Sequence, residues 1–375
     1  MANWAELPHD LLTLIAKRVK VIENFIAFSA VCNSWRTAAT KENFDAFSPQ
    51  VPLLMLAADK DSDDYREFYS LSKQNVSRIF LPEARGPVEC FPSEGWLCAI
   101  SCIGEMKLLQ PFSRISIQLP SLKALLSLHG EEAPKEGEWH CIDKAVLSAS
   151  PSVTSDYSLV ISRFGEGSLL SFWRPGDLNW TNINFKKFDG ISTMVCCKGQ
   201  FYALTFGGEV WVFDIACRSI SKPIVEPRIL ARLRDDDVFH NPVHFYLVEI
   251  SDALFILTRF LHSNGLGCYH TVKFNVYELD LTKAKLNKVS TLGNSAICLG
   301  RNGASSIDSS AFTIVKPNQI YFTDDGVDEY KYCEGGGGGR DMGAYHLDDG
   351  SIESFYPGLS LSPICPPTWV KPSFS

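Results

Sequence analysis

The hydrophobic pattern of this chain changes period once, near Phe47, and that change limits what it can fold into. Before it, Leu7, Leu11, Ile15 and Val19 stand four apart with Pro8 and Leu12 beside them, which places one apolar stripe along a single helix. Pro8 falls in the first turn, where its missing N–H costs nothing. A second stripe, Phe25, Phe28, Val31, Cys32 and Trp35, follows Asn24, a residue suited to capping a helix start. Each stripe is too short to hold a helix alone in water, so the helices must pack on each other or on a partner.

Past the turn-rich stretch Ser48, Pro49, Gln50, Val51, Pro52 the period becomes two. Short apolar runs separated by Gly, Pro, Asn and Asp predict strands, among them Leu53 to Ala57, Gly95 to Ile103, Met106 to Leu109, Thr193 to Cys197, Gln200 to Thr205, Phe245 to Ile250, Lys273 to Asp280 and Gln319 to Phe322. They fall into a loose repeat, with comparable units at Gly95 to Pro120, Ser192 to Asp214 and Val243 to Asp280. A spacing of about 40 to 50 residues per four strands is that of a propeller blade, and the length after the helical part supplies about six or seven blades. A pair of stacked β-sandwiches would use similar strands and turns. The fold class expected is therefore a small all-α helical unit, residues 1–47, followed by an all-β propeller, residues 48–375.

Composition narrows the setting. Apolar residues make up 45% of the chain, enough for a sizeable core, and the net charge of -8 argues against a chain built to coat nucleic acid or an anionic membrane. Glu6, Asp10, Lys17 and Arg18 interrupt the first apolar pattern, unlike a signal peptide, and no later stretch has the uncharged length to span a bilayer. A soluble chain in the cytoplasm or nucleus is expected. The 12 Cys are scattered through apolar segments and read as reduced, buried thiols.

Both halves resemble a known family. Leu7, Pro8, His9, Asp10, Leu11, Leu12, then Ile15, Val19, Phe28, Val31, Cys32, Trp35 and Arg36 stand in the register of an F-box, although Val21, Ile22, Glu23 and Asn24 replace the more usual acidic residue and Leu before the last helix. The remainder is similar to plant F-box proteins with a KIB-type β-propeller. The marks are Lys198, Gly199, Phe201 to Leu204, then Val212 to Asp214, Pro317 to Asp325, Leu347 to Gly350, and Pro366, Pro367, Trp369, Val370 and Pro372. The resemblance implies a non-catalytic substrate-recognition subunit of a Skp-cullin-F-box ubiquitin ligase. Its F-box would bind a Skp-type adaptor through Leu7, Pro8, Leu11, Leu12, Ile15, Val19, Val31, Cys32 and Trp35, and through it a cullin. The propeller would recruit an unidentified target protein. The rival readings are a scaffold outside any ligase and a small-molecule-binding or hydrolytic propeller.

Patterns of chemistry are sparse. No Cys-x-x-Cys occurs, and Cys98 and Cys102, placed on one face of a strand, read as core. His240 and His244 enclose Asn241 and Pro242 and read as loop histidines. No Gly-x-Ser-x-Gly elbow is present, and the acidic runs at Asp59 to Asp64 and Asp235 to Asp237 lack the Gly and Glu of a calcium loop. No metal or cofactor is expected. The run Gly335 to Gly339 reads as a flexible loop. For target contacts, exposure alone singles out Asp235 to Asp237 with Arg228, Arg232 and Arg234, and the loop from Asp324 to Asp341.

Overall fold

The computed structural model describes residues 4–45, 48, 50–57, 64–86, 88–128, 130, 142–163, 169–183, 190–215, 225–232, 243–263, 269–283, 285–324, 338–358, 360–362 and 364–373. Three short helices open the chain: α1 (His9–Ala16), α2 (Ile22–Ser29) and α3 (Asn33–Ala38). Pro8 precedes α1, and its carbonyl accepts from the Leu11 and Leu12 amides at 3.0 and 3.2 Å. The second apolar stripe splits into α2 and α3, because Cys32 is extended at φ -165. A stripe recurring every three or four residues is satisfied equally by one helix or by two sharing a core. Asn24 lies inside α2 and caps nothing; the free amide at Ile22 donates instead to Gln50 Oε1 at 2.9 Å, from beyond the helical unit. Leu12, Ala16, Ile22, Phe25, Phe28, Ala38 and Phe44 fill the small core between the helices.

Among the described residues the remaining chain forms six sheets, the blades of a six-bladed β-propeller. Blade 1 contains β1 (Leu53–Met55), β2 (Tyr65–Ser70) and β3 (Asn75–Phe80). Blade 2 is β4 (Val88–Ser93), β5 (Trp96–Ser101), β6 (Met106–Leu109) and β7 (Ser116–Gln118), and is followed by α4 (Leu122–Ser127). Blade 3 is β8 (Ile142–Leu147), β9 (Leu159–Arg163), β10 (Leu169–Trp173) and β11 (Thr181–Ile183). Blade 4 is β12 (Ile191–Cys197), β13 (Gln200–Thr205), β14 (Glu209–Phe213) and β15 (Arg228–Arg232). Blade 5 is β16 (Val243–Ile250), β17 (Ala253–Ser263), β18 (Tyr269–Asp280) and β19 (Lys285–Val289). Blade 6 holds β20 (Ser295–Gly300), β21 (Gly303–Asp308), β22 (Gln319–Phe322), β23 (Gly343–His346) and β24 (Ile352–Glu353). The ring closes when β25 (Thr368–Val370) pairs antiparallel with β1, Leu54 opposite Trp369, and Ser360 Oγ accepts the Ala57 amide across 303 residues of chain.

Adjacent blades bury their facing sheets against each other. Between blades 2 and 3, Trp96, Leu108, Ile142, Trp173 and Trp180 pack around Leu125 of α4, and the Trp180 indole donates to the Pro120 carbonyl at 3.1 Å. Between blades 5 and 6 lies Arg259, fully buried. Its Nη2 meets Asp341 Oδ2 at 2.9 Å, its Nε reaches Thr271 Oγ1 at 2.8 Å, and its Nη1 reaches the Thr323 carbonyl at 2.9 Å. The guanidinium also lies over the Phe322 ring at 4.8 Å. The protein supplies these polar partners to the buried charge, which is the condition under which a buried cation is tolerated.

Blade 6 departs from the pattern of the other five. There β20 and β22 run parallel, so β21 is added on the inner side of β20 and enters the centre of the ring. The β20–β21 turn, Arg301 and Asn302, spans to other blades. Asn302 Oδ1 accepts the Ala145 amide at 2.9 Å, while its Nδ2 donates to the Pro92 and Ala145 carbonyls, each at 2.7 Å. Arg301 Nη2 pairs with Glu89 at 3.1 Å, Lys144 donates to the Arg301 carbonyl, and Ser306 Oγ donates to the Glu249 carbonyl at 2.7 Å. Gly303 follows at φ +145, a backbone conformation that side chains disfavour.

Candidate functional site

The helical unit is tied to the propeller at its rear. Gln50 Nε2 donates to the Lys20 carbonyl at 2.7 Å, Ser70 Oγ donates to Glu23 at 3.1 Å, and Lys73 lies 3.7 Å from the same carboxylate. These contacts come from the linker and from blade 1, so the start of α2 faces the propeller.

The residues expected to dock a partner divide by burial. Leu12, 0% exposed, belongs to the helical unit's own core, and contact with a partner would require opening that core. Leu7, Ile15, Val19 and Trp35 are half-buried against the same core, and Cys32 is half-buried at the start of α3. Trp35 packs on Phe28 with ring centroids 4.5 Å apart and donates its indole N–H to the Trp4 carbonyl at 3.0 Å. Pro8, Leu11 and Val31 face solvent. Two apolar residues outside the expected set join them: Leu14, 56% exposed, and Trp4, 63% exposed. Pro8, Leu11 and Leu14 stand three apart, so they form one ridge along α1, and the i, i+3 spacing of Leu11 and Leu14 was the signal for it.

A second feature sits on the propeller axis. The inner strands of all six blades enclose a cavity of about 460 Å³, whose polar wall includes Glu94, Glu249, Asp252, Lys371, Ser306 and Cys196. Glu94 is exposed to the space inside the cavity, and the walls crowded around it raise its carboxyl above the ordinary value; Lys371 opposes this and Glu249 adds to it. Burial likewise pushes the Cys196 thiol up to about 12, so it is no nucleophile at neutral pH. Among the described residues no group of three or more His, Cys, Asp or Glu is placed to hold a metal ion.

Other expectations meet corrections. Cys98 is core, but β5 ends at Ser101 and Cys102 is exposed in the turn beyond it, so the two do not share a strand face. His244 is a strand residue of β16 opposite Arg259; His240 lies outside the described residues. Arg228 and Arg232 belong to β15, where Arg232 pairs with Glu209 at 2.9 Å, while Arg234 and Asp235 to Asp237 lie outside the described residues, as do Asp59 to Asp63. The ends of the Asp324 to Asp341 segment are pinned inside: Asp324 is buried and accepts the backbone amides of Gly339, Arg340 and Asp341. Gly338 bridges to Ser362; Gly335 to Gly337 lie outside the described residues.

Three helices closed around a core too small to stand alone, joined to a six-bladed ring, define an F-box unit on a β-propeller. An F-box domain model matches residues 4–47, and a KIB1-4 beta-propeller model matches residues 68–346. The chain belongs to the KIB1-4 β-propeller family. Its relatives include F-box protein At2g26160 of Arabidopsis thaliana, 26% identical over 86% of this chain and 96% of that one. F-box protein At2g17690 of the same plant is 23% identical over 94% and 96%. Among solved structures, TolB from Acinetobacter baumannii superposes with a TM-score of 0.41 at 10% identity, covering 90% of this chain and 70% of that one.

Proposed function

We propose that the chain is a non-catalytic substrate-recognition subunit of a Skp-cullin-F-box ubiquitin ligase. The observation that carries this reading is the ridge Pro8, Leu11 and Leu14 with Val31 and Trp4, left in solvent by a helical unit whose interior is already filled. Apolar side chains in excess of a core's needs, left exposed by the propeller as well as by the helices, suit a protein partner. A Skp-type adaptor is the partner that an F-box fits, and the adaptor links to a cullin. The propeller would present a target protein, and the ligase would act by proximity, holding a target lysine near the transfer site. Cytoplasm or nucleus is the compartment such an assembly requires.

The test is co-purification of the full chain with a Skp-type adaptor. Replacing both Leu11 and Leu14 with aspartate removes roughly 3 kcal/mol of apolar burial, which is over a hundredfold in affinity. Thermal stability should stay close to that of the unaltered chain, because both side chains are exposed without the partner. Adaptor binding that survives the double substitution would overturn the assigned surface.

A further inference from the structure

At 11 and 12 residues, β17 and β18 are the longest strands among the described residues, and they run on as a hairpin past their neighbours. β16 pairs with β17 as far as Phe260, opposite Val243, and β19 pairs with β18 from Val276 onward. The last three pairs, Leu261 with Thr271, His262 with His270 and Ser263 with Tyr269, therefore have no third strand beside them among the described residues of blade 5. A bulge marks the start of this extension. Phe260 faces Lys273 and Leu261 faces Thr271, so Val272 drops out of register and the pairs beyond it are re-aimed.

One side of the extension is anchored. Leu261 and Thr271 are buried, and Thr271 Oγ1 accepts from Arg259 Nε at 2.8 Å while donating to Asp341 Oδ2 at 2.7 Å. Side chains alternate across a strand, so this anchoring turns His262 and His270 to the opposite side, where both are exposed. They are direct cross-strand neighbours, with ring centres 5.2 Å apart and ring planes inclined at 68°. Packing does not account for the pair: neither ring fills a core, and two imidazolium charges directly opposite each other would oppose the pairing of the strands.

We propose that His262 and His270 chelate a divalent transition-metal ion, zinc, across the two strands. Neutral imidazole is a ligand suited to zinc. Its nitrogen binds the ion at about 2.0–2.1 Å, which puts the ion about 3.2 Å from each ring centre, so two rings at the tetrahedral angle have centres about 5.2 Å apart. That is the separation the strands impose. At an exposed position the side chains are free to rotate and aim one nitrogen each at a common point. Two imidazoles leave two tetrahedral positions to water, so the site exchanges its ion, unlike a closed structural centre. The next pair on the same side is Phe260 with Lys273, whose ammonium is drawn onto the Phe260 ring, Nζ 4.5 Å from its centre. Arg259 lies on the anchored side, paired with Asp341. The bound ion ties β17 to β18 beyond the point where blade 5 supports them.

The experiment titrates zinc chloride into the full-length reduced chain by calorimetry, beside His262→Ala, His270→Ala and the double variant. The unaltered chain should take up one zinc ion that the double variant does not. Each single substitution should weaken that site by about tenfold or more, and the double substitution no further than either one, because a lone imidazole does not chelate. Zinc held by thiols is common to all four proteins and cancels. Zinc should also slow amide hydrogen exchange at Leu261, His262, His270 and Thr271, and should leave the remaining amides of the double variant unchanged there. Both histidines are exposed, so the variants should unfold at the temperature of the unaltered chain. Zinc that binds the double variant as tightly as the unaltered chain, or exchange at those four amides that does not respond to zinc, overturns the proposal.

Discussion

Replacing Asn302 with alanine cuts three hydrogen bonds that cross the centre of the ring, to the Ala145 amide at 2.9 Å and to the Pro92 and Ala145 carbonyls at 2.7 Å. Asn302 is buried, so water does not replace the lost partners. At about 1 kcal/mol net per bond, with more for a buried amide left unpaired, the substitution should cost roughly 3–5 kcal/mol. Thermal unfolding followed by near-ultraviolet circular dichroism measures it, and a fall of several degrees in Tm is expected. Asn302→Asp is the sharper control, since it keeps the shape. An ionised carboxylate accepts from the Ala145 amide but turns its second oxygen toward two carbonyls, so its pKa in the folded state is raised above the unfolded value. The defect is therefore largest at neutral pH and shrinks as pH falls through the raised pKa, where the protonated acid again donates one hydrogen bond. A cost below about 1 kcal/mol for the alanine variant, or an aspartate variant equal to the unaltered chain at neutral pH, would refute the view that this side chain staples blades 2 and 3 to blade 6.

Leu12→Ala, which empties a fully buried site in the helical unit, should cost about 2–5 kcal/mol and be seen as early loss of helical signal, in contrast to the nearly silent Leu11 and Leu14 substitutions. Glu94→Gln should raise Tm at neutral pH. Glu94 has its folded pKa raised by the cavity walls around it, so ionising it costs stability as pH rises from the unfolded value of about 4.5 through the folded one, and the advantage of the amide should vanish near pH 4.

How far the fold was legible follows from which side chains a strand buries. Met106 to Leu109, Gln200 to Thr205 and Gln319 to Phe322 coincide with β6, β13 and β22, because the middle strands of a blade are covered on both faces and read as apolar runs. Most of the outermost strands were missed, β7 being an exception that Ile115 to Leu119 marked. In β3, β19 and β24 every residue is exposed or half-buried, so Asn75 to Phe80 or Lys285 to Val289 leaves no periodic trace. The inner strand β4 carries Glu89 and Pro92, and β21 reads Gly, Ala, Ser, Ser, both unlike core strands, yet each has its role at the axis. Six blades, within the expected six or seven, needed the closing strand near Trp369 to be seen. In the helical unit the stripe was plain, but spacing alone does not separate Leu12, turned inward, from Leu11 and Leu14, turned out.

The pairing of β1 with β25 sets an order of events during synthesis. The F-box helices and the Gln50 contact that anchors them emerge from the ribosome early, while blade 1 waits for a strand encoded more than three hundred residues later, the span bridged by Ala57 and Ser360. Until then β1 presents an open edge, the kind that recruits chaperones or neighbouring strands. A nascent chain thus carries the exposed apolar ridge of its helical unit beside an unfinished ring. A message truncated before Thr368 would yield a protein that carries the helical unit but has no strand to close its ring.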